Sequence, residues 1–261
     1  MHPVLITIGS FTVYSWGAML AVAVLAAIWG IGRLARREGY DDNLAMDLVI
    51  LSVLAGLIGA RLAYFIIYDW QNFIVNPLVL FKIGPNGIEG MIWYGAFIGG
   101  LIAFGIYVWK KRLSFWKIAD MFSPYLALGY ALVRIGCFLR GCCYGNITDS
   151  PLGMVFPYVD NLHRYPTQLF SSALNLLLFA YLLWLYDRRR YTGQVFLSYL
   201  LGYGVYRFTI EFFRYSVYHV GPFTLGQIYT AGLLAVGAVL YYWRLKQCDG
   251  AVYVPRNRKR I

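Results

Sequence analysis

The chain has 261 residues, of which 60 % are hydrophobic and 13 % are charged, and its mean hydropathy is +0.57. Soluble domains carry about 25 % charged residues, so this composition indicates a chain whose main solvent is a lipid bilayer. Apolar stretches fill almost the whole length, which leaves no room for a soluble domain of any size.

A membrane-spanning helix needs roughly 20 mostly apolar residues. Seven stretches meet this requirement: 13–33, 47–68, 91–110, 118–139, 168–186, 194–213 and 224–243. The first lacks a preceding basic segment and a following small-residue cleavage site, so we expect a retained helix rather than a secretory signal. The sequence therefore predicts an all-α polytopic membrane protein with about seven transmembrane helices, in which residues 1–261 form a single transmembrane domain.

The net charge of +11 is concentrated in alternate connections between the predicted helices. These basic groups are Arg33 with Arg36 and Arg37, Lys110 to Arg112 with Lys117, Arg188 to Arg190, and a tail at 244–261. Because positively charged loops stay on the cytoplasmic side, the pattern predicts an outer N-terminus and a cytoplasmic C-terminus. Topology and attraction to anionic membrane lipids explain the charge, so we expect no nucleic-acid partner.

The longest connections on the predicted outer side are residues 69–90 and 140–167, which are rich in Pro, Gly and Asp. Segment 69–90 also carries aromatic and aliphatic residues such as Trp70 and Leu78. This mixed character indicates an interfacial helix or a re-entrant piece rather than a further crossing.

Ionisable side chains occur within or at the edge of the predicted helices, where burial is costly and function is the first hypothesis. They are Arg61, Arg134, Arg207, Glu211 and Arg214. The last three have the spacing i, i+4 and i+7, which predicts one shared helix face. One interpretation is that Arg207 and Glu211 only neutralise each other. The excess of arginine favours a bound anion, and a phospholipid phosphate toward the outer leaflet is the anion available at that depth.

Seven motifs occur in order along the chain: I-G-S-F-T-V-Y-S-W-G-A-M-L, G-L-I-G-A-R-L-A-Y-F, G-M-I-W-Y-G-A-F-I-G-G, R-I-G-C-F-L-R-G-C-C-Y-G, R-Y-P-T-Q-L-F, Y-G-V-Y-R-F-T-I-E-F-F-R and L-G-Q-I. Together they resemble the bacterial phosphatidylglycerol:prolipoprotein diacylglyceryl transferase family over nearly the whole chain. The resemblance implies transfer of the diacylglyceryl group from phosphatidylglycerol to the lipobox cysteine of a prolipoprotein signal peptide, with release of glycerol 1-phosphate. It also implies a bacterial inner-membrane protein with its active site toward the outer leaflet, and we expect neither a cofactor nor a metal ion.

The resemblance carries site roles over to individual positions. Catalytic roles are implied for Arg134 and Arg207, which would hold the phosphate, for Glu211, which would orient Arg207, and for Tyr94, which stands where the family has a histidine proposed as a base. Substrate-binding roles are predicted for Arg61, Tyr64, Gly95, Arg140, Gly145, Gln168, Tyr203 and Arg214.

The departures from the family pattern fall on the acceptor side and on proton handling. Cys137 and Arg140 replace two asparagines, Cys142 replaces a glutamate, and Tyr94 replaces the histidine. Three interpretations of Cys137, Cys142 and Cys143 stay open: a structural role, a catalytic thiol, or a metal site, against which the missing fourth ligand counts. Three functions also stay open, namely transfer to prolipoproteins, transfer to a different acceptor, and non-catalytic binding or transport of an anionic phospholipid.

Overall fold

The structure is a computed structural model that describes residues 1–9, 11–41, 43–82, 90–216 and 219–248. Its helices are α1 (Ser15–Arg37), α2 (Leu44–Tyr68), the short α3 (Trp70–Val75), α4 (Trp93–Lys110), α5 (Phe115–Arg140), α6 (Thr167–Tyr186), α7 (Gln194–Glu211) and α8 (Leu225–Cys248). Each of the seven predicted apolar stretches coincides with one long helix. The prediction of an all-α polytopic membrane protein is thereby confirmed.

Five helices within the described residues are long and apolar enough to cross a membrane, namely α1, α2, α5, α6 and α8. Helices α4 and α7 have 18 residues each, which corresponds to about 27 Å of length, close to the thickness of the hydrocarbon core, about 30 Å. The count of seven crossings and the orientation of the termini stay predictions.

The connections contain short β-hairpins that the sequence patterns did not predict. Within the described residues these are β1 (Val4–Ile8) with β2 (Phe11–Tyr14), β3 (Met154–Val155) with β4 (His163–Arg164), and β5 (His219–Val220) with β6 (Phe223–Thr224), all antiparallel. Strands of two residues are too short to show an alternating pattern in the sequence. The predicted interfacial segment forms α3 and a 3₁₀ turn at Pro77–Phe81, while residues 83–89 lie outside the described part.

Helix α5 occupies the centre of the helix packing, because it contacts α1, α6 and α7. One end of α5 is tied to α7 by Asp120, whose carboxylate accepts hydrogen bonds from the backbone N–H of Gly193 at 2.7 Å and of Phe196 at 2.9 Å. A buried ion pair between Arg189 and Glu38 lies at the same end. These contacts join the N-terminal parts of α5 and α7. The C-terminal ends of the two helices therefore lie on the same side of the protein.

Helices α2 and α4 touch through their backbones. A β-carbon on Gly95 would lie 2.3 Å from the carbonyl oxygen of Gly59, and one on Gly59 would lie 2.4 Å from that of Gly95. Such an approach is possible only with glycine on both sides. The structure therefore gives Gly95 a packing role, whereas its predicted contact with substrate stays a prediction.

We expect Gly95→Ala to lower the thermal stability of the protein, because the added methyl group forces α2 and α4 apart. Overpacking of this kind typically costs about 1 to 3 kcal/mol. Thermal unfolding of the purified protein in lipid nanodiscs measures the effect. Gly105→Ala is the matched control on the same helix, since its β-carbon would meet no atom within 4 Å. Equal melting temperatures for the two variants would contradict the backbone contact.

Candidate functional site

A loop after α5, residues 141–147, joins the ends of three helices and is called the signature loop below. The backbone N–H of Gly145 donates to the carbonyl of Tyr165 at 2.8 Å, and that of Asn146 donates to Phe213 at 2.9 Å. Gly145 also pairs with Arg214 in an antiparallel bridge. A β-carbon on Gly145 would lie 2.4 Å from the carbonyl oxygen of Phe213, so the loop can approach the end of α7 only with glycine at this position.

The first turn of α6 holds the same loop from the other side. The hydroxyl of Thr167 donates to the carbonyl of Cys143 at 3.0 Å, and Nε2 of Gln168 donates to the carbonyl of Cys142 at 2.7 Å. Gln168 is fully buried, and its Oε1 has no hydrogen-bond partner among the described residues. A buried acceptor without a partner is costly, so this amide is suited to contact a bound molecule.

Arg207 and Glu211 form an ion pair across one turn of α7, as their spacing predicted. Glu211 also accepts a hydrogen bond from the hydroxyl of Thr224 at 3.2 Å and lies 3.9 Å from Arg214. Helix α7 ends at Glu211, so Arg214 does not continue the helical face that the spacing predicted. The bridge to Gly145 draws Arg214 toward the signature loop instead, yet the guanidinium still reaches the buried carboxylate.

Arg134 belongs to α5 and is linked to α7 through tyrosines. Its guanidinium donates to the hydroxyl of Tyr130 and lies over that ring at 4.8 Å. The Tyr130 ring contacts Tyr203 at 5.8 Å and Tyr206 at 6.1 Å between centroids. The sequence prediction missed Tyr130, although its i, i+4 spacing from Arg134 was a usable signal.

Arg134, Arg207, Arg214 and Glu211, called the arginine cluster below, carry more positive than negative charge. Arg207 and Arg214 share the single carboxylate of Glu211, and within the described part of the chain Arg134 forms no ion pair. Glu211 is 4 % exposed and Arg207 is 15 % exposed in their side chains, whereas Arg214 is 32 % exposed. Buried guanidinium groups without a counter-charge are unstable in a low-dielectric setting, so the arrangement is suited to bind an anion such as a phosphate.

Three cysteines lie beside these arginines. The sulfur atoms of Cys137, Cys142 and Cys143 all lie within 4.8 Å of one another. Hydrogen bonds from the thiols of Cys137 and Cys142, together with the positive charge of Arg134 and Arg214, lower the pKa of the Cys143 thiol. The end of α5 and the signature loop therefore bring three sulfur atoms close to the guanidinium groups of Arg134 and Arg214.

Two predicted substrate-binding residues of α2 lie against the segment that follows this helix. Arg61 is buried, and its Nη2 donates to the carbonyls of Val79 at 2.9 Å and Lys82 at 3.0 Å. A β-carbon on Gly90 would lie 2.7 Å from the ring of Tyr64. The contacts of Arg61 anchor the 3₁₀ turn, and the contacts of both residues with substrate stay predictions.

Tyr94 and Arg140 are both exposed. Tyr94 is 58 % exposed, and its ring packs edge-on against Tyr229 of α8 with 6.4 Å between ring centroids. Arg140 is the last residue of α5. Their predicted roles in proton handling and anion binding stay predictions.

The beginning of α8 contributes a contact that the sequence prediction missed. A β-carbon on Gly226 would lie 2.5 Å from Oε1 of Glu211. The hydroxyl of Thr224 accepts from the backbone N–H of Gln227 at 3.1 Å and donates to the same carboxylate oxygen. The position of Glu211 therefore depends on the first turn of α8 as well as on α7.

We expect Gly226→Ala to reduce the activity of the protein more than its stability. The new methyl group would push the flexible Glu211 carboxylate away from Arg207, and a small misplacement of a positioning group can cost up to about 100-fold in rate. Turnover and melting temperature are compared with those of Gly232→Ala, where the added β-carbon would meet no atom within 4 Å. Unchanged turnover in Gly226→Ala would contradict a role for this contact.

The fold and the site define a class: a polytopic membrane protein that holds a positively charged cluster between its helices. A family model described as prolipoprotein diacylglyceryl transferase matches residues 3–243. This chain belongs to the prolipoprotein diacylglyceryl transferase family, whose members are transferases.

Three similar proteins, each called phosphatidylglycerol–prolipoprotein diacylglyceryl transferase, come from different bacteria. The protein of Clostridium tetani is 38 % identical over 218 residues, covering 82 % of this chain and 86 % of the relative. That of Pseudoalteromonas translucida is 32 % identical over 254 residues, covering 95 % and 94 %. That of Vibrio cholerae is 33 % identical over 254 residues, covering 95 % and 93 %.

Proposed function

We propose that this protein transfers the diacylglyceryl group of phosphatidylglycerol to the thiol of a prolipoprotein cysteine. The names of its relatives describe this reaction for them. One observation carries the proposal for this chain: Arg207 and Arg214 share the buried carboxylate of Glu211, and Arg134 bonds Tyr130, whose ring contacts Tyr203 on the helix that carries Arg207. A phospholipid phosphate supplies the negative charge that the arginine cluster lacks.

The reaction forms a carbon–sulfur bond, breaks a carbon–oxygen bond and releases the proton of the acceptor thiol. The acceptor sulfur attacks the glyceryl carbon that is bonded to the phosphate oxygen, and the carbon–oxygen bond breaks with release of glycerol 1-phosphate. Negative charge builds up on the phosphate as that bond breaks. Arg134 and Arg207 would stabilise this charge at the moment it develops, which is where electrostatic stabilisation accelerates a reaction most.

Further residues would position the lipid rather than react with it. Glu211 would hold Arg207 in place. Oε1 of Gln168, which has no hydrogen-bond partner among the described residues, would accept a hydrogen bond from a glycerol hydroxyl group of the donor. Tyr203 would support Arg134 through Tyr130. Gly145 would allow the signature loop to approach α7.

The orientation of the site is also part of the proposal. The basic loops predict a cytoplasmic side that carries Arg36, Lys111, Arg189 and Lys246, so the signature loop would lie at the outer leaflet of a bacterial inner membrane. Ionic attraction of these loops to anionic lipid heads supports the same orientation.

Tyr94 is proposed to handle the proton of the acceptor thiol. We expect Tyr94→Phe to lower turnover by roughly 10-fold to 100-fold, because general acid–base catalysis typically contributes at least that much. Tyr229→Phe is the control, since it keeps the ring contact between α4 and α8. If Tyr94→Phe turns over like the unmodified protein, another group carries the proton.

Transfer to a different acceptor is the second candidate. Cys137, Arg140 and Cys142 replace residues of the family pattern at the end of α5 and in the signature loop, so this acceptor side differs from that of the resembled enzymes. The donor side retains Arg134 and Arg207.

Incubation of the purified protein in nanodiscs with labelled phosphatidylglycerol and a lipobox peptide tests the proposal. We expect thioether-linked diacylglyceryl on the peptide and one glycerol 1-phosphate released for each. Release of glycerol phosphate without modified peptide would favour the second candidate. Absence of turnover under conditions in which the Vibrio cholerae relative is active would contradict an enzymatic role and leave phospholipid binding.

A further inference from the structure

Three sulfur atoms, one at the end of α5 and two in the signature loop, have the spacing of a metal site. Zinc binds thiolate sulfur at about 2.3 Å in a tetrahedron, so the sulfur atoms of such a site lie about 3.8 Å apart. Cys137, Cys142 and Cys143 hold theirs within 4.8 Å of one another. Small side-chain rotations would therefore let all three bind one ion.

The backbone around these cysteines is arranged to bring them together. Gly141 ends α5 in the left-handed conformation, with φ of 80°, which turns the chain back toward Cys137. Cys143 also has a positive φ, of 64°. A side chain other than glycine, asparagine or aspartate at such an angle is uncommon and strained. Glycine would remove that strain.

The charges near the three sulfur atoms also fit a metal–thiolate group. Three thiolates around a divalent cation carry a net charge of minus one, and Arg134 and Arg214 lie close enough to Cys143 to offset it. The first turn of α6 fixes the loop, since Gln168 binds the carbonyl of Cys142. This contact holds the backbone that carries the Cys142 thiol.

We propose that Cys137, Cys142 and Cys143 bind one divalent cation of the zinc type, with a fourth coordination position open to an incoming thiol. Sites with three protein ligands and an open position are typical of catalytic rather than structural zinc. The missing fourth ligand counted against a metal site in the sequence, but a site with an open coordination position needs only three protein ligands.

The open position would serve the acceptor, a role that rests on the proposed function. An acceptor thiol that binds the cation loses its proton and stays a thiolate, which is the nucleophilic form. Its sulfur then forms the bond to the glyceryl carbon, and the electron pair of the broken carbon–oxygen bond goes to the phosphate. The released proton passes by way of Tyr94, the proposed proton carrier, to the phosphate product or to water. Arg134, which lies beside both the thiols and the proposed phosphate position, would bring donor and acceptor together.

Metal binding is measured directly on the full chain in nanodiscs. After loading with Zn²⁺ and removal of excess metal, we expect about one zinc ion per chain, and Co²⁺ should give the visible spectrum of a tetrahedral thiolate site. Cys137→Ser, Cys142→Ser and Cys143→Ser should each lose most of the bound metal. Cys248→Ser, at the end of α8, is the control and should retain it.

Two results would overturn the metal site. One is a wild-type protein, prepared under reducing conditions, that retains no Zn²⁺ and gives no Co²⁺ spectrum. The other is metal that stays bound when the three cysteines are replaced singly. A disulfide among the three cysteines in protein isolated from cells, found by mass spectrometry together with failure to bind Zn²⁺ after reduction, would assign them a redox role instead.

The proposed role of the metal ion in activating the acceptor thiol is tested separately. Removal of the metal by a chelator should abolish peptide modification, and added Zn²⁺ should restore it. If metal binds but removal leaves transfer unchanged, the role of the cation in activating the acceptor is wrong and the proposed transferase function still stands. If metal binds but no lipid is transferred to any acceptor, the proposed function fails and the metal site still stands.

Discussion

Arg207→Lys is expected to lower diacylglyceryl transfer by about 100-fold to 1,000-fold, the range seen when one preorganised donor to a developing negative charge is removed. Lysine keeps the charge but lacks the planar fork that lets arginine bind Glu211 and a phosphate oxygen together. The measurement is the initial rate of labelled lipid transfer to a lipobox peptide. Because lysine still neutralises Glu211, the variant should insert into the membrane and unfold at nearly the wild-type temperature.

Arg190→Lys is the matched control for this variant. Arg190 is exposed in the connection between α6 and α7, far along the chain from the signature loop. It should transfer lipid at the wild-type rate. Full activity of Arg207→Lys would show that the Arg207 guanidinium does not contact the reacting phosphate.

Glu211→Gln is expected to lower the turnover number by about 10-fold to 100-fold through misplacement of Arg207, while the affinity for phosphatidylglycerol stays equal or rises. The variant removes the only carboxylate that pairs with Arg207 and Arg214 among the described residues. The arginine cluster then gains one unit of positive charge, which favours a bound anion. A merely structural role would instead lower stability without separating turnover from affinity, so both constants are measured.

Glu38→Gln controls for the loss of a buried ion pair as such. Glu38 pairs with Arg189, and both side chains are at most 10 % exposed. Removing one partner of a buried pair is costly, roughly 3 to 5 kcal/mol, so this variant should unfold at a lower temperature. Its folded fraction should keep the wild-type turnover number and affinity. The same kinetic change in both variants would contradict a specific role for Glu211.

The helices were predictable because each depends on local composition. Every predicted apolar stretch coincides with a long helix, with ends that differ by a few residues. The ion pair of Arg207 with Glu211 was predictable for the same reason, since an i, i+4 spacing places two side chains together on any helix. The contact of Arg134 with Tyr130 follows the same spacing and was available to the same argument.

Contacts between distant parts of the chain were not predictable. Gly226 of α8 approaches Glu211 of α7, and Gln168 of α6 donates a hydrogen bond to the signature loop. No local pattern encodes which face of α8 or α6 meets the site. The hairpins formed by β3 with β4 and by β5 with β6 escaped prediction, because strands of two residues are too short to show a periodic pattern.

The amino-acid sequence by itself determined that this protein is helical and membrane-embedded, that it carries intramembrane arginines, and that its motifs resemble one family. Composition and helical spacing suffice for these conclusions, because burial in lipid forces backbone hydrogen bonding within each helix. Only the tertiary structure decided which residues meet. It paired Arg214 as well as Arg207 with Glu211, gave Gly95 a packing role, and brought three thiols together. Such contacts depend on how the helices pack and where the loops turn.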